Sequence, residues 1–250
     1  MIRATAVYLF LGLYIALIAP VAMLWVLIAR NPHLLYVLAR FGIRTAGWIA
    51  GIRIVVQGRE NILPGKNYVF LSNHQGNSDG PVLSHVIPRD CRALVKQEMM
   101  QLPILSLVLK QAQFVPIERL NPKKAQMGIE LGAKRLREGK SFFAFPEGTR
   151  SRDGQLGDFK KGVFIMAIKA GVPILPVTIL GSNAIQRPKQ YGINPGTIRV
   201  VCHDPISTEG MDHEDRNRLI QRTREAIASG LPAESRIVES LNIQQTGKLI

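Results

Sequence analysis

One short segment contains two side chains whose types and spacing suit acid–base chemistry. His74 is followed five positions later by Asp79, directly after the apolar run Tyr68–Ser72. A histidine with a pKa near ~6.5 can take a proton from a hydroxyl, and a neighbouring carboxylate fixes the ring tautomer and stabilises the imidazolium. Five positions leave two side chains roughly 140° apart on a straight helix, so the pair meets only if His74 lies in a turn and Asp79 in the first turn of the next helix. The alternative is a polar turn with Asp79 near a helix N-terminus.

A second segment suits the binding of a phosphate. The aromatic run Phe142–Phe145 leads into Pro-Glu-Gly-Thr-Arg at positions 146–150. Proline ends the strand and glycine permits a close approach of the backbone, so Glu147 and Arg150 emerge together. An arginine can bind phosphate through two parallel hydrogen bonds. The alternative is a surface turn with a Glu–Arg ion pair. Lys160 and Lys161 follow, where the simpler interpretation is the solvated start of a helix.

The elements that must position these residues alternate between strand-like and helical patterns from about residue 52 onward. This alternation predicts an α/β domain with a mixed, mainly parallel central sheet flanked by helices. Helical periodicity runs from Pro122 to Glu138, with Gly139 as a stop, and from Glu214 to Ser229. Seven strands are predicted: Ile52–Val56, Tyr68–Ser72, Arg92–Val95, Gln113–Ile117, Phe142–Phe145, Ile174–Leu180 and Ile198–Cys202.

Two helical segments precede this domain. Thr5 to Ala29 is uncharged and mostly apolar, interrupted by Pro20, and is long enough to span a bilayer, for which about 20 residues suffice. It is too long for a signal-peptide core, so we expect it to be retained. Leu34 to Gly51 has an apolar stripe away from Arg40 and Arg44, which is typical of an interfacial helix.

The two segments form either a span with a surface helix or a hairpin that dips into one leaflet. If the first one spans, Arg30, Arg40 and Arg44 place the following domain in the cytoplasm. We therefore predict membrane-anchoring helices over residues 1–50, a catalytic domain over 51–250, and localisation at a membrane, specifically a bacterial inner membrane with the catalytic domain on its cytoplasmic face.

The formal net charge of +14 indicates an anionic partner. Nucleic acid, an anionic membrane surface and a phosphorylated substrate are the three options. No Asp or Glu precedes Glu60, and the longest apolar run lies in that same stretch, which favours the membrane. No zinc-finger spacing or ribonucleoprotein motif supports nucleic acid. Cys91 and Cys202 cannot form a disulfide framework and show no metal-ligand spacing.

In this order and at this separation, the two segments resemble the lysophosphatidic acid and glycerol-3-phosphate acyltransferase family. Four motifs carry the resemblance, which runs from about residue 51 to residue 206: Asn73-His74 with Asp79, Phe114–Arg119, Phe145–Ser151, and Val172–Val177. The chain departs from the family at the head of the second motif, where Ala112 and Gln113 stand in place of a glycine. It departs again at Glu118, where the family often has Asp.

The resemblance implies a role for each matching residue. His74 would be the general base and Asp79 its orienting partner. The strand at 173–177 would line or support the acyl channel. The predicted substrate-binding residues, several of them for the acceptor's phosphate, are Arg119, Glu147, Gly148, Thr149, Arg150, Lys96 and Lys160.

The resemblance further implies transfer of an acyl group from acyl-CoA or acyl carrier protein to the sn-2 hydroxyl of 1-acyl-sn-glycerol 3-phosphate. A thiolate with a pKa near ~8.5 leaves without strong acid assistance, so we expect no metal and no cofactor. No serine–histidine pair has nucleophile-elbow spacing, so we expect direct transfer without an acyl-enzyme. The alternatives are another lysolipid or glycerol 3-phosphate as acceptor, an esterase, or a non-catalytic module that binds membrane phospholipid.

Overall fold

In the computed structural model, residues 2–29, 31–88, 91–118, 121–151, 154–186 and 190–235 are described. Within them, seven strands form one sheet in the order β1-β7-β6-β2-β5-β3-β4. All neighbouring strands are parallel except β6 and β7, which run antiparallel. The predicted mixed, mainly parallel sheet flanked by helices is therefore confirmed. The strands are β1 Ile52–Gln57, β2 Val69–Ser72, β3 Arg92–Lys96, β4 Val115–Ile117, β5 Phe142–Ala144, β6 Ile174–Leu180 and β7 Gly196–Cys202.

Helices cover both faces of this sheet. Because successive side chains of a strand point to opposite faces, Val69 and Leu71 of β2 enter one core while Tyr68 and Phe70 enter the other. The helices α5, α6 and α8 pack on the first face, and α3 packs on the second. The helices are α1 Ile2–Ala29, α2 His33–Ala50, α3 Asp79–Val86, α4 Pro103–Gln111, α5 Pro122–Arg137, α6 Gly162–Ala170, α7 Ser182–Ile185 and α8 Arg216–Ser229.

The first two helices form an antiparallel hairpin beside α3. The hydroxyl of Tyr14 on α1 donates to the carbonyl of Leu38 on α2, at 2.9 Å. Arg40 of α2 donates to the carbonyls of His85 and Ile87 at the end of α3, which ties the hairpin to the sheet domain. Of the described helices, α1 alone is long and apolar enough to cross a membrane, and it continues through Pro20 without interruption.

The sheet collects the predicted site residues at one edge. The strands β2, β5, β3 and β4 are parallel neighbours, so their carboxyl ends meet at the same edge of the sheet. His74 follows β2, the 146–150 turn follows β5, and Lys96 ends β3. In parallel α/β sheets this edge is where ligands bind.

The predicted strand start at Gln113 was wrong, since β4 begins only at Val115. Gln113 has φ = +57°, a left-handed conformation that a strand residue does not adopt.

Candidate active site

His74 and Asp79 are in direct contact. His74 Nδ1 lies 2.7 Å from Asp79 Oδ2. His74 lies in the turn after β2, and Asp79 is the first residue of α3, as the spacing required. Asp79 is fully buried, and the same oxygen accepts the backbone N–H groups of Gln75 and Gly76 at 2.7 and 2.8 Å. The carboxylate therefore fixes both the imidazole ring and the shape of the turn.

The turn itself is held to the sheet by Asn73. Its amide donates to the carbonyl of Ile179 on β6 and accepts the N–H of the same residue, at 2.9 and 2.8 Å. At Gly76 an added Cβ would lie 2.8 Å from the carbonyl oxygen of Ser182, so this position admits glycine alone. These contacts hold the backbone of the His74 turn in one closely packed conformation.

The second segment wraps around His74. The backbone N–H of His74 donates to Glu147 Oε1 at 2.8 Å, and the N–H of Ser151 donates to the His74 carbonyl at 2.8 Å. Gly148 has φ = +76°, a conformation that favours glycine and turns the chain back toward β2. The Phe145 ring stacks on the imidazole with centroids 4.0 Å apart. With 20% of the His74 side chain exposed, the ring remains open to a substrate from one side.

Glu147 faces the protein interior. Its other oxygen, Oε2, accepts the N–H of Gly157 at 2.9 Å, so each carboxylate oxygen is bound by a backbone amide. Burial raises the pKa of this carboxyl, while the two amide hydrogen bonds and the positive charge of Arg224 lower it in part. The sequence motif predicted Glu147 at the acceptor's phosphate. In the structure, its carboxylate links the backbone of the His74 turn to the 154–160 loop.

Arg224 of α8 holds that loop from the other side. It donates to the carbonyls of Gly157 and Leu156 at 2.6 and 2.9 Å, and its guanidinium lies 5.7 Å from the centroid of the Phe159 ring. Sequence reasoning missed Arg224, Gly157 and the stacking of Phe145. Phe145 could have been suspected from its place before Pro146, but no local pattern links a residue of α8 to this turn.

The other predicted residues that the structure describes lie at the same edge of the sheet. Arg150 is exposed and donates to the Asn77 side chain, in the turn that leads to Asp79. The backbone N–H of Lys160 donates to the Pro146 carbonyl at 2.8 Å, which anchors this lysine beside the second segment. Thr149 is exposed in the same turn, and Lys96 is exposed at the end of β3. Arg119 lies outside the described residues.

The 173–177 segment forms the start of β6, beside β2. Ile174 is fully buried in one core, and Leu175 and Val177 are fully buried in the other. The predicted part of this segment in an acyl channel stays a prediction. Among the residues that the structure describes, no group of three or more His, Cys, Asp or Glu side chains is arranged to hold a metal ion.

The chain is similar to known proteins over most of its length. Residues 53–180 match the family model described as Acyltransferase. The chain is 32% identical over 200 residues to a 1-acyl-sn-glycerol-3-phosphate acyltransferase of Borreliella burgdorferi, a match that covers 80% of each chain. The chain belongs to the 1-acyl-sn-glycerol-3-phosphate acyltransferase family.

Two further members of this acyltransferase family show how much of the chain the similarity covers. A chloroplastic form from Brassica napus is 35% identical over 172 residues, which cover 66% of this chain and 49% of that protein. The chain thus spans about half the length of this relative. The crystal structure of the 1-acyl-sn-glycerophosphate acyltransferase of Thermotoga maritima superposes with a TM-score of 0.75 at 23% identity, over 95% of this chain and 97% of that one. The chain therefore shares that fold along nearly its whole length.

Proposed function

We propose that this protein transfers a fatty-acyl group from an acyl thioester to the free sn-2 hydroxyl of 1-acyl-sn-glycerol 3-phosphate, and so forms phosphatidic acid. The observation that carries this proposal is the contact of 2.7 Å between His74 and a fully buried Asp79, at the sheet edge where Lys96 and the turn with Arg150 also lie. The acceptor is the one named for the curated relatives.

In the proposed reaction, His74 acts as the general base. Asp79 beside Nδ1 favours the tautomer with its proton on that nitrogen, which leaves Nε2 able to accept the proton of the acceptor hydroxyl. The hydroxyl oxygen then attacks the thioester carbonyl, the carbon–sulfur bond breaks, and the proton passes to the leaving thiolate. Positioned proton transfer of this kind is worth about 10²–10⁴ in rate. Transfer is direct, so no acyl-enzyme forms and no metal or cofactor takes part.

The phosphate of the acceptor would bind to the exposed cations of the opening. Arg150 suits a phosphate because its fork of N–H groups can form two parallel hydrogen bonds. Arg119, Lys96 and Lys160 would add charge, and Gly148 and Thr149 shape the turn that carries Arg150. A buried carboxylate repels a phosphate, so we assign Glu147 to positioning the His74 backbone.

The acyl donor, acyl-CoA or acyl carrier protein, and the acceptor would meet at a membrane surface. The hydroxyl of Tyr8, near the start of α1, donates to the Tyr191 carbonyl. If α1 crossed the bilayer, at about 1.5 Å per residue its first turns would lie far from the sheet domain. This contact favours a hairpin immersed in one leaflet. We propose that residues 1–50 anchor the catalytic domain, residues 51–250, to membrane phospholipid on the cytoplasmic face of a bacterial inner membrane.

A substrate panel tests the function. Purified protein in phospholipid vesicles would receive acyl-CoA or acyl carrier protein as donor. Lysophosphatidic acid, glycerol 3-phosphate or lysophosphatidylcholine would be the acceptor, and products would be identified by mass. We expect phosphatidic acid from lysophosphatidic acid as the main product. Free fatty acid formed without acceptor would show a hydrolase instead, and lipid binding without turnover would show a binding module.

A further inference from the structure

A large groove lies between α2, the end of α3 and the 59–66 segment. Its volume is about 1320 Å³. Among the described residues, the charged side chains that line it are Arg40, Arg44, Arg59 and Lys66, and none of the lining side chains is Asp or Glu. The groove therefore concentrates positive charge in one place. The proposed acyl-transfer reaction does not require this charge.

This groove lies away from the reacting centre. The 59–66 segment precedes β2, and Ser141, which also lines the groove, precedes β5. Both strands run from the groove toward the edge that holds His74. Since β2 has four residues at about 3.3 Å each, the two sites are separated by at least roughly 13 Å of sheet. A ligand in the groove would not be the acceptor at His74.

Three of the four basic side chains of the groove lack carboxylate partners among the described residues. Arg44, Arg59 and Lys66 are exposed, and none forms an ion pair with a carboxylate of the described residues. Arg40 instead directs its guanidinium to the carbonyls at the end of α3. Burial lowers the pKa of His85 on the groove wall, and the charges of Arg44, Arg40 and Arg59 lower it further, which shows that these guanidinium groups act on one small region.

The rim of the groove is apolar and continues into the hairpin. Trp48 and Phe41 on α2 are 81% and 59% exposed, and both line the groove. The Phe41 ring also lies 6.1 Å from the Tyr14 ring of α1, so the rim joins the apolar surface of the first helix. Tryptophan is enriched where a protein meets the boundary between headgroups and acyl chains. Basic walls beneath such a rim suit an anionic headgroup whose acyl chains remain in the bilayer.

We propose that this groove binds the headgroup of an anionic phospholipid of the membrane, at a site separate from the one that takes the acceptor. Arg44, Arg59 and Lys66 would contact the phosphate, and Trp48 and Phe41 would lie among the upper acyl chains. The site is independent of the transfer reaction, and it would orient the hairpin and the sheet domain on a charged bilayer.

The test is vesicle binding by two charge-matched variants. The first carries Arg59→Gln and Lys66→Gln in the groove. The control carries Lys123→Gln and Lys134→Gln, two exposed lysines of α5 on the opposite face of the sheet. Binding would be measured to vesicles of pure phosphatidylcholine and of phosphatidylcholine mixed with phosphatidylglycerol. Thermal unfolding would confirm that both variants fold.

We expect the wild type and the control to prefer the anionic vesicles, and the groove variant to lose about tenfold to thirtyfold of that preference. Its binding to pure phosphatidylcholine and its turnover of detergent-dispersed substrates should be unchanged. Equal losses in both double variants would overturn the proposal, because net charge would then explain the preference. The proposal would also be overturned if the groove variant kept its vesicle binding but turned over more slowly only with acyl carrier protein as the donor. That result would indicate an acidic protein partner instead.

Discussion

The imidazole of His74 is fixed from three directions. Asp79 binds its Nδ1, Phe145 stacks on its face, and its backbone is held by Glu147 and Ser151. Each contact removes freedom that the side chain would otherwise lose on reaching a transition state, so in the proposed reaction the base would be oriented before the substrate arrives. Its type and its partner could be predicted from the sequence, because both lie within one turn. The stacking and the backbone contacts could not, because they bring a second, distant segment to the ring.

Gln113 shows the physical meaning of a departure from the family pattern. The chain has glutamine near the position where the family usually has glycine, and this residue adopts φ = +57°. A side chain in the left-handed region costs roughly 1–2 kcal/mol, which glycine avoids. The Gln113 side chain offsets part of that cost by accepting a hydrogen bond from Arg92 at 3.2 Å.

Replacing Gln113 separates these two effects. Gln113→Ala keeps the unfavourable backbone conformation and loses the hydrogen bond, whereas Gln113→Gly loses the hydrogen bond but relieves the backbone. We expect the glycine variant to be more stable than the alanine variant by about 1 kcal/mol, which is a difference of roughly 2–4 °C in Tm for a chain of this size. Thermal unfolding of both variants in detergent measures it, and an alanine variant as stable as the glycine variant would contradict the account.

At the scale of elements, α8 is linked to the catalytic turn through a loop. Arg224 binds the carbonyls of residues 156 and 157, the Gly157 N–H binds Glu147, and Glu147 binds the His74 backbone. The helix α8 packs on the face of the sheet opposite α3. Its arginine is therefore connected to the His74 backbone only through the loop and Glu147.

Arg224→Ala should lower kcat by about 10- to 100-fold with little change in either KM, because the loss displaces the base and leaves the exposed cations in place. Arg224→Lys should recover part of the rate, because a single ammonium group can replace only part of the hydrogen bonds that the guanidinium donates to the two loop carbonyls. The matched control is Arg222→Ala on the same helix, where the side chain is exposed. A raised KM with unchanged kcat, or an equal loss in the control, would show that Arg224 does not act through His74.

The strands were largely predictable because each is a short apolar run between turn residues. All seven predicted strands agree with the structure to within about two residues at each end, and β6 agrees at both ends. The starts of β4 and β7 differ most, and at β4 the left-handed conformation of Gln113 explains the difference. The antiparallel pairing of β6 with β7 could not be predicted from the sequence, because strand direction depends on the path of the connecting segment and not on the strand's own residues.

At the scale of the whole molecule, apolar surface is concentrated on the hairpin. Leu13 and Leu17 belong to a series of large exposed apolar side chains along α1. This surface, the groove of α2 and the opening at His74 all belong to the part of the molecule that we place against the bilayer. Composition predicted the apolar segment and its basic neighbours. The packing of α1 against α2 and Tyr191 could not be predicted from the sequence and is seen only in the structure.

Charges placed on this surface should release the protein from membranes. Leu13→Glu combined with Leu17→Glu should weaken binding to vesicles by at least about tenfold, because a charged side chain costs roughly 2.5–3.5 kcal/mol in the bilayer core and less at the interface. Both leucines are exposed, so the fold should be retained. Met127→Glu, at an exposed site on α5, serves as the control and should bind as the wild type does. Flotation with phosphatidylcholine vesicles measures the effect, and unchanged flotation of the double variant would refute the placement of α1 in the membrane.

Direct acyl transfer with His74 as the base is the proposal on which the assigned function depends. It is tested most directly by the rate of phosphatidic acid formation in a single turnover, with both substrates saturating, for the wild type and His74→Ala. The control is His213→Ala, a histidine that is exposed before α8. We expect a decrease of about 10²–10⁴ for His74→Ala, none for the control, and no acylated protein in either. A His74→Ala variant that retains near-full activity, or a wild-type enzyme that accumulates a covalent acyl adduct, would contradict it.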